Sequence, residues 1–183
     1  MHAEIRRQEA NEKMVDQIIV GTITWLHVIS VIGWFGAVLT FLISIRPALT
    51  KLTPQANAEF VLKILPRFAL SIQVFTILTV ISGPLLAYTM SDGPPNAFDL
   101  RSPWSILIVL GATLGIIMFF IVFLIFTPIT NKLRHLVQQM QQNPQQPPPT
   151  ELNKLQKRLS ILPPIAATLL LMAEVFMVAA AQF

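Results

Sequence analysis

Hydrophobic and polar positions fall along this chain in long blocks. Four apolar runs, at about 18–45, 66–88, 104–128 and 161–183, are separated by polar stretches. Each holds enough helix to cross a hydrocarbon core about 30 Å thick, at about 1.5 Å per residue. The polar stretches predict the rest. Segment 1–17 favours helix but is strongly polar, so it lies at the surface or extends the first span outward. That span is expected to stop at Arg46-Pro47, where proline cannot continue a regular helix. Lys51 to Lys63 form a polar connection with a short helix capped at Thr53-Pro54. The second span starts near Pro66 and ends around Tyr88, before a turn-rich Ser91-Asp-Gly-Pro-Pro-Asn loop. Ser102-Pro103-Trp104 opens the third, with serine as cap, proline in the first turn and Trp104 as interfacial anchor. The third helix is expected to continue beyond about Pro128, through Asn131 to Gln142. A Gln/Pro-rich linker at 138–150 and a basic helix, Glu151 to Arg158, lead into the fourth. The expected fold is a single all-α integral membrane domain over 18–183, an antiparallel four-helix bundle with an extended cytoplasmic part of the third helix.

Composition supports this class. Of 183 residues 54% are hydrophobic and 12% charged, where a soluble domain carries about 25% charged residues. The lipid bilayer takes the place of water over much of the surface. Cysteine is absent, which excludes disulfides, thiolate metal sites and cysteine nucleophiles. The net charge of +4 sits in loops and reads as a topology signal, not a nucleic-acid footprint. No cleaved signal is expected, because the first apolar run is too long for a signal-peptide core. Arg6, Arg7, Lys13 and Arg101 lie on one side of the spans, four in all, against nine Lys and Arg on the other. Loops 46–67 and 129–160 are therefore expected to be cytoplasmic, both termini outside, and the protein multi-pass in the cytoplasmic membrane.

Helices in lipid meet through small residues that permit close approach. The first span offers a seam of Ser30, Gly33, Ala37, Thr40 and Ser44, with His27 and Trp34 beside it. Gly83 in the second span and Gly111 and Gly115 in the third are further packing candidates.

His27 lies about nine residues inside the first span, and Glu174 nine from residue 183. An ionisable group this deep is a functional-site candidate by default. Equal counts inward from Tyr88 and Trp104 reach Thr79 and Thr113. The expectation is a polar layer of His27, Thr79, Thr113 and Glu174, with His27 and Glu174 facing one interior. The plain alternative is a histidine hydrogen-bonded to a neighbouring helix. As a ligand, His27 suits haem better than a closed metal cage, since neutral imidazole is a common axial ligand. His2 and His135 lie outside the spans, so a second axial ligand would be methionine, water or another chain. Copper would use His27 and Glu174, but copper(I) prefers soft ligands. Met172 and Met177 differ by about 140° around their helix, so with Met118 they form no stripe.

The residues Trp25-Leu-His27-Val-Ile-Ser-Val-Ile-Gly33-Trp34-Phe-Gly36 resemble the opening helix of the copper-resistance protein D superfamily. Leu65-Pro-Arg67-Phe68, Ser82-Gly83, Ser102-Pro-Trp104 and Lys157-Arg158-Leu159 are similar to the entries and exits of its later helices. The resemblance covers 18–183. It implies either copper uptake or, in the HemJ-type branch, haem b held through a first-helix histidine matching His27, with Trp34 nearby. The branch's third-helix lysine is missing after Trp104, which argues against its oxidase activity and leaves haem or metal binding standing. Three functions follow as expectations: a haem or metal holder with a redox or cofactor-handling role; a non-catalytic subunit or assembly factor of a larger membrane complex; and a copper or other cation permease, with other membrane-protein subunits or a homo-oligomer as expected partners.

Overall fold

The computed structural model describes residues 1–90, 100–143, 145 and 150–183, and of residues 2 and 3 the backbone alone. The loop expected at Ser91 to Asn96 lies outside the described residues. Four helical rods make up the fold. The first consists of α1 (His2–Thr40), a π-helical turn at Phe41–Ile45 and α2 (Arg46–Leu49). The second consists of α3 (Pro54–Glu59), a π turn at Phe60–Ile64 and α4 (Leu65–Met90). The third consists of α5 (Pro103–Phe120), a π turn at Ile121–Phe126 and α6 (Thr127–Gln142). The fourth is α7 (Thr150–Ala180). No strand occurs among the described residues.

Each π turn ends two residues before a proline, namely Pro47, Pro66 and Pro128. A proline in a helix has no N–H to donate, and its ring collides with the carbonyl four residues back. In all three rods the residue before the proline donates five residues back instead: Arg46 to Phe41, Leu65 to Phe60 and Thr127 to Val122. The helix widens by one residue and carries on. The expected stop at Arg46-Pro47 is therefore corrected, since helix resumes through Leu49. Proline alone does not make such a turn, because Pro84 and Pro163-Pro164 sit in α4 and α7 without one.

The predicted cap at Thr53 is present, its hydroxyl accepting from the Ala56 N–H at 3.3 Å. Ser102 holds the N-cap position of α5 but makes no side-chain cap hydrogen bond.

Rods neighbouring in sequence lie side by side, with α1 on α4 and α5 on α7 as the main pairs, closed by α4 against α5 and α7 against α1. The interior stripe of α1 is His27, Ser30, Trp34, Val38 and Phe41. On α4 it is Leu65, Ala69, Ile72, Thr76, Thr79 and Ser82. Thr40 and Ser44 of the expected seam are exposed. Trp34, which the seam left at its side, is buried instead, because the buried positions follow the rotation of the helix and not residue size. The outer surface carries exposed Ile32, Ile43, Leu70, Ile81, Leu124, Val175 and Val178, a belt suited to lipid and not to water. Four helices are long and apolar enough to cross a membrane. The chain is thus an all-α, multi-pass membrane protein in contact with the bilayer.

Beyond the apolar runs the bundle continues. Ile129, Leu133 and Val137 of α6 are buried, as are Leu155 and Leu159 of α7. Lys132 and Glu151 pair across these two helices, and Gln73 Nε2 donates to Thr127 Oγ1 at 2.8 Å.

Candidate cofactor site

The register of α1 on α4 sets the site. Phe41 packs on Phe68, with ring centroids 5.6 Å apart. Further along, a Cβ on Gly33 would stand 2.6 Å from the Phe75 ring, so the ring fills the space that a side chain at 33 would need. One more step brings His27 to Ser82 and Gly83. Moving along α1 from 41 to 27 thus runs up α4 from 68 to 83, the antiparallel pairing that the predicted topology demands.

His27 is 8% exposed, and its Nδ1 lies 3.0 Å from Ser82 Oγ. Ser82 has one proton, which it donates to the Leu78 carbonyl one turn back. Its oxygen therefore accepts from Nδ1–H. A neutral imidazole protonated at Nδ1 carries its lone pair on Nε2. That atom has no hydrogen-bond partner among the described residues. Gly83 supplies the space: a Cβ there would stand 3.1 Å from His27 Cε1. Serine orients the ring and glycine makes room for it.

Around this contact lies the polar layer that does form, between α1 and α4. Ser30 is buried with its hydroxyl on the Leu26 carbonyl. Thr79 is buried, and its Oγ1 has no partner among the described residues. Trp34 Nε1 is likewise buried and unpartnered. The Trp34 side chain, 1% exposed, lines an apolar cavity of about 40 Å³ with Ile72, Met118, Val122 and Ala166.

One member of the expected layer is placed elsewhere. Thr113 is exposed and bonds its hydroxyl back to the Val109 carbonyl at 2.7 Å. Local back-bonding satisfies a threonine without any neighbour, so depth did not dictate its direction. Glu174 is half-buried beside the interior stripe of α7 and makes no ion pair or hydrogen bond among the described residues. His27 turns its Nδ1 to α4 and shares no bond with it. Gly111 packs closely, a Cβ there meeting Met177 at 3.1 Å and the Ala173 carbonyl at 3.4 Å, whereas Gly115 faces open space. The packing role expected for Gly115 is therefore not realised.

No three His, Asp or Glu side chains come together to hold a metal ion among the described residues. A closed cage for a bare ion does not fit this site. Haem makes a smaller demand on the protein, because the porphyrin supplies the in-plane nitrogens and the chain needs to supply an axial one. His27, with Nδ1 tied down and Nε2 bearing the lone pair, fits that demand. Sequence reasoning found the histidine and the Ser82-Gly83 pair but did not connect them. Reading α1 and α4 as antiparallel with an aromatic of α4 seated on Gly33 would have done so.

No family model, curated protein or solved structure matches this chain.

Proposed function

We propose that this membrane protein holds haem b through His27 and has a redox or cofactor-handling role. The observation that carries the reading is the chain of hydrogen bonds from His27 Nδ1 through Ser82 Oγ to the Leu78 carbonyl. Ligating histidines characteristically give their other N–H to a fixed acceptor, which sets tautomer and ring orientation and raises ligand basicity. Haem would supply one-electron chemistry at its iron. The residues of the chain bind and orient: His27 presents Nε2, Ser82 holds the ring, Gly83 leaves room, and the apolar interior keeps water away. The resemblance to the copper-resistance protein D superfamily adds a second, independent support through Trp25 to Gly36. The Lys and Arg asymmetry orients the His27 end of the bundle away from the cytoplasm, in the cytoplasmic membrane. Copper through His27 and Glu174 is less well supported, since the two share no hydrogen bond or ion pair among the described residues.

The test is spectroscopic. Protein extracted gently from its native membrane should show a Soret band, and His27→Ala should lose it while keeping its helical circular dichroism. A colourless wild-type protein, or a band unchanged in the variant, would overturn the reading.

A further inference from the structure

The end of the bundle remote from His27 holds a much larger space. A groove of about 960 Å³ opens among all four rods, near the upper limit of ordinary ligand pockets at roughly 1,000 Å³. Its walls are apolar, including Phe41, Leu49, Val61, Leu65, Leu133 and Leu159, with Gln55, Gln141 and Gln156 among the polar groups. Phe41 also lines the small cavity beside Trp34, so the groove and that cavity share one apolar wall residue. The π turns at Phe41–Ile45 and Phe60–Ile64 both contribute to the groove wall, and helices carry π turns frequently at functional sites.

The charge of this wall is one-sided. It contains Arg46 and no Asp or Glu. Nine Lys and Arg stand at this end of the chain, over 46–67 and 129–160, against two acids, Glu59 and Glu151. Both acids are engaged, Glu59 with Lys63 at 3.4 Å and Glu151 with Lys132. Arg46 makes no ion pair among the described residues. An apolar groove with an unpaired cation and amides in its wall matches a long chain ending in an anion.

We propose that this groove binds a single-chain anionic amphiphile, a long-chain carboxylate, with its head at Arg46 and its tail along the apolar wall of Phe41, Val61 and Leu133. The site is separate from His27 and does not depend on haem.

The test uses the full chain in nanodiscs of zwitterionic lipid, titrated with radiolabelled palmitate. Saturable binding at one palmitate per chain is expected, with hexadecanol competing about tenfold more weakly, as loss of one charged contact implies. Arg46→Gln should remove that preference for the acid over the alcohol. Gln156→Glu, an exposed substitution that puts an acid into the wall, should weaken palmitate and leave hexadecanol unchanged. Leu133→Trp should weaken both by filling the groove, and His27→Ala should change neither. Absence of saturable binding overturns the proposal. So does equal affinity for acid and alcohol, retention of the preference in both charge variants, or displacement of palmitate by phosphatidylglycerol added to the discs.

Discussion

His27 and Gly83 share one volume: the imidazole Cε1 lies 3.1 Å from the point where a Cβ on residue 83 would stand. The neighbour on α4 thereby decides where the ring can go, and Ser82 beside it decides how the ring is turned. Gly83→Ala should cost little, because a shift of a few tenths of an ångström relieves the contact. Gly83→Val should displace the ring and destabilise the bundle by about 1–3 kcal/mol, the usual cost of overpacking. Thermal unfolding in detergent would show the graded loss, and two variants of equal stability would refute the shared volume.

Ser82→Ala removes the acceptor for His27 Nδ1–H. A buried donor left unmatched costs about 1–3 kcal/mol. It also frees the ring to change tautomer, so haem affinity should fall by about 10- to 100-fold, as for other partners of ligating histidines. Nitrogen-15 chemical shifts of His27 check the tautomer directly, since the wild-type should show a protonated Nδ1 and the variant a mixture.

The Phe75 ring of α4 packs into the space left by Gly33 of α1, 2.6 Å from an imagined Cβ. Gly33→Ala alone should destabilise by about 1–3 kcal/mol. In a Phe75→Leu background the penalty should shrink, with a coupling energy of about 0.5–3 kcal/mol. Additive effects of the two substitutions would mean that the contact does not hold the helices apart.

Pro128 gives a test of what makes the π turns. Pro128→Ala restores an N–H donor at that position, and a return to regular helix would turn α6 by about 100°. That rotation would take Leu133 and Val137 out of the core, so packing opposes it. The expected result is a preserved π turn with little change in stability. The chain has no cysteine, so a cysteine pair placed at 137 and 155 reports the register cleanly by cross-linking. Loss of the cross-link in Pro128→Ala would show that proline, not packing, sets the turn.

Lys132 and Glu151 are both about half exposed, at 55% and 47%. Exposed pairs contribute about 0–1 kcal/mol. Glu151→Gln should therefore leave the melting temperature nearly unchanged at moderate salt, and a large drop would point to a structural role for the pair.

The four spans, their antiparallel order and the polar extension of the third helix were legible in the sequence, since bilayer thickness demands long apolar helices and short loops force neighbours to run in opposite directions. His27 was legible as well, because an ionisable group in such a run stands out. The face that each helix turns inward was not. In lipid both sides of a helix are apolar, so the periodicity that points a soluble helix toward its core is nearly silent. Thr79 and Thr113 illustrate the consequence: the two were matched by depth, yet one is buried against α1 and the other bonds to its own helix and faces out. Equal depth pairs Glu174 with His27 in the same way, yet the hydrogen bond of the imidazole goes to Ser82 of α4. The π turns were hidden for a different reason, because Pro47, Pro66 and Pro128 read locally as helix stops. Beyond Pro66 and Pro128 the chain buries further side chains, so widening the helix by one residue and continuing keeps that packing. Sequence thus determined which segments enter the membrane and which residue stands out within it; tertiary contact alone decided which neighbour satisfies that residue, through close approach at Gly33 and Gly83.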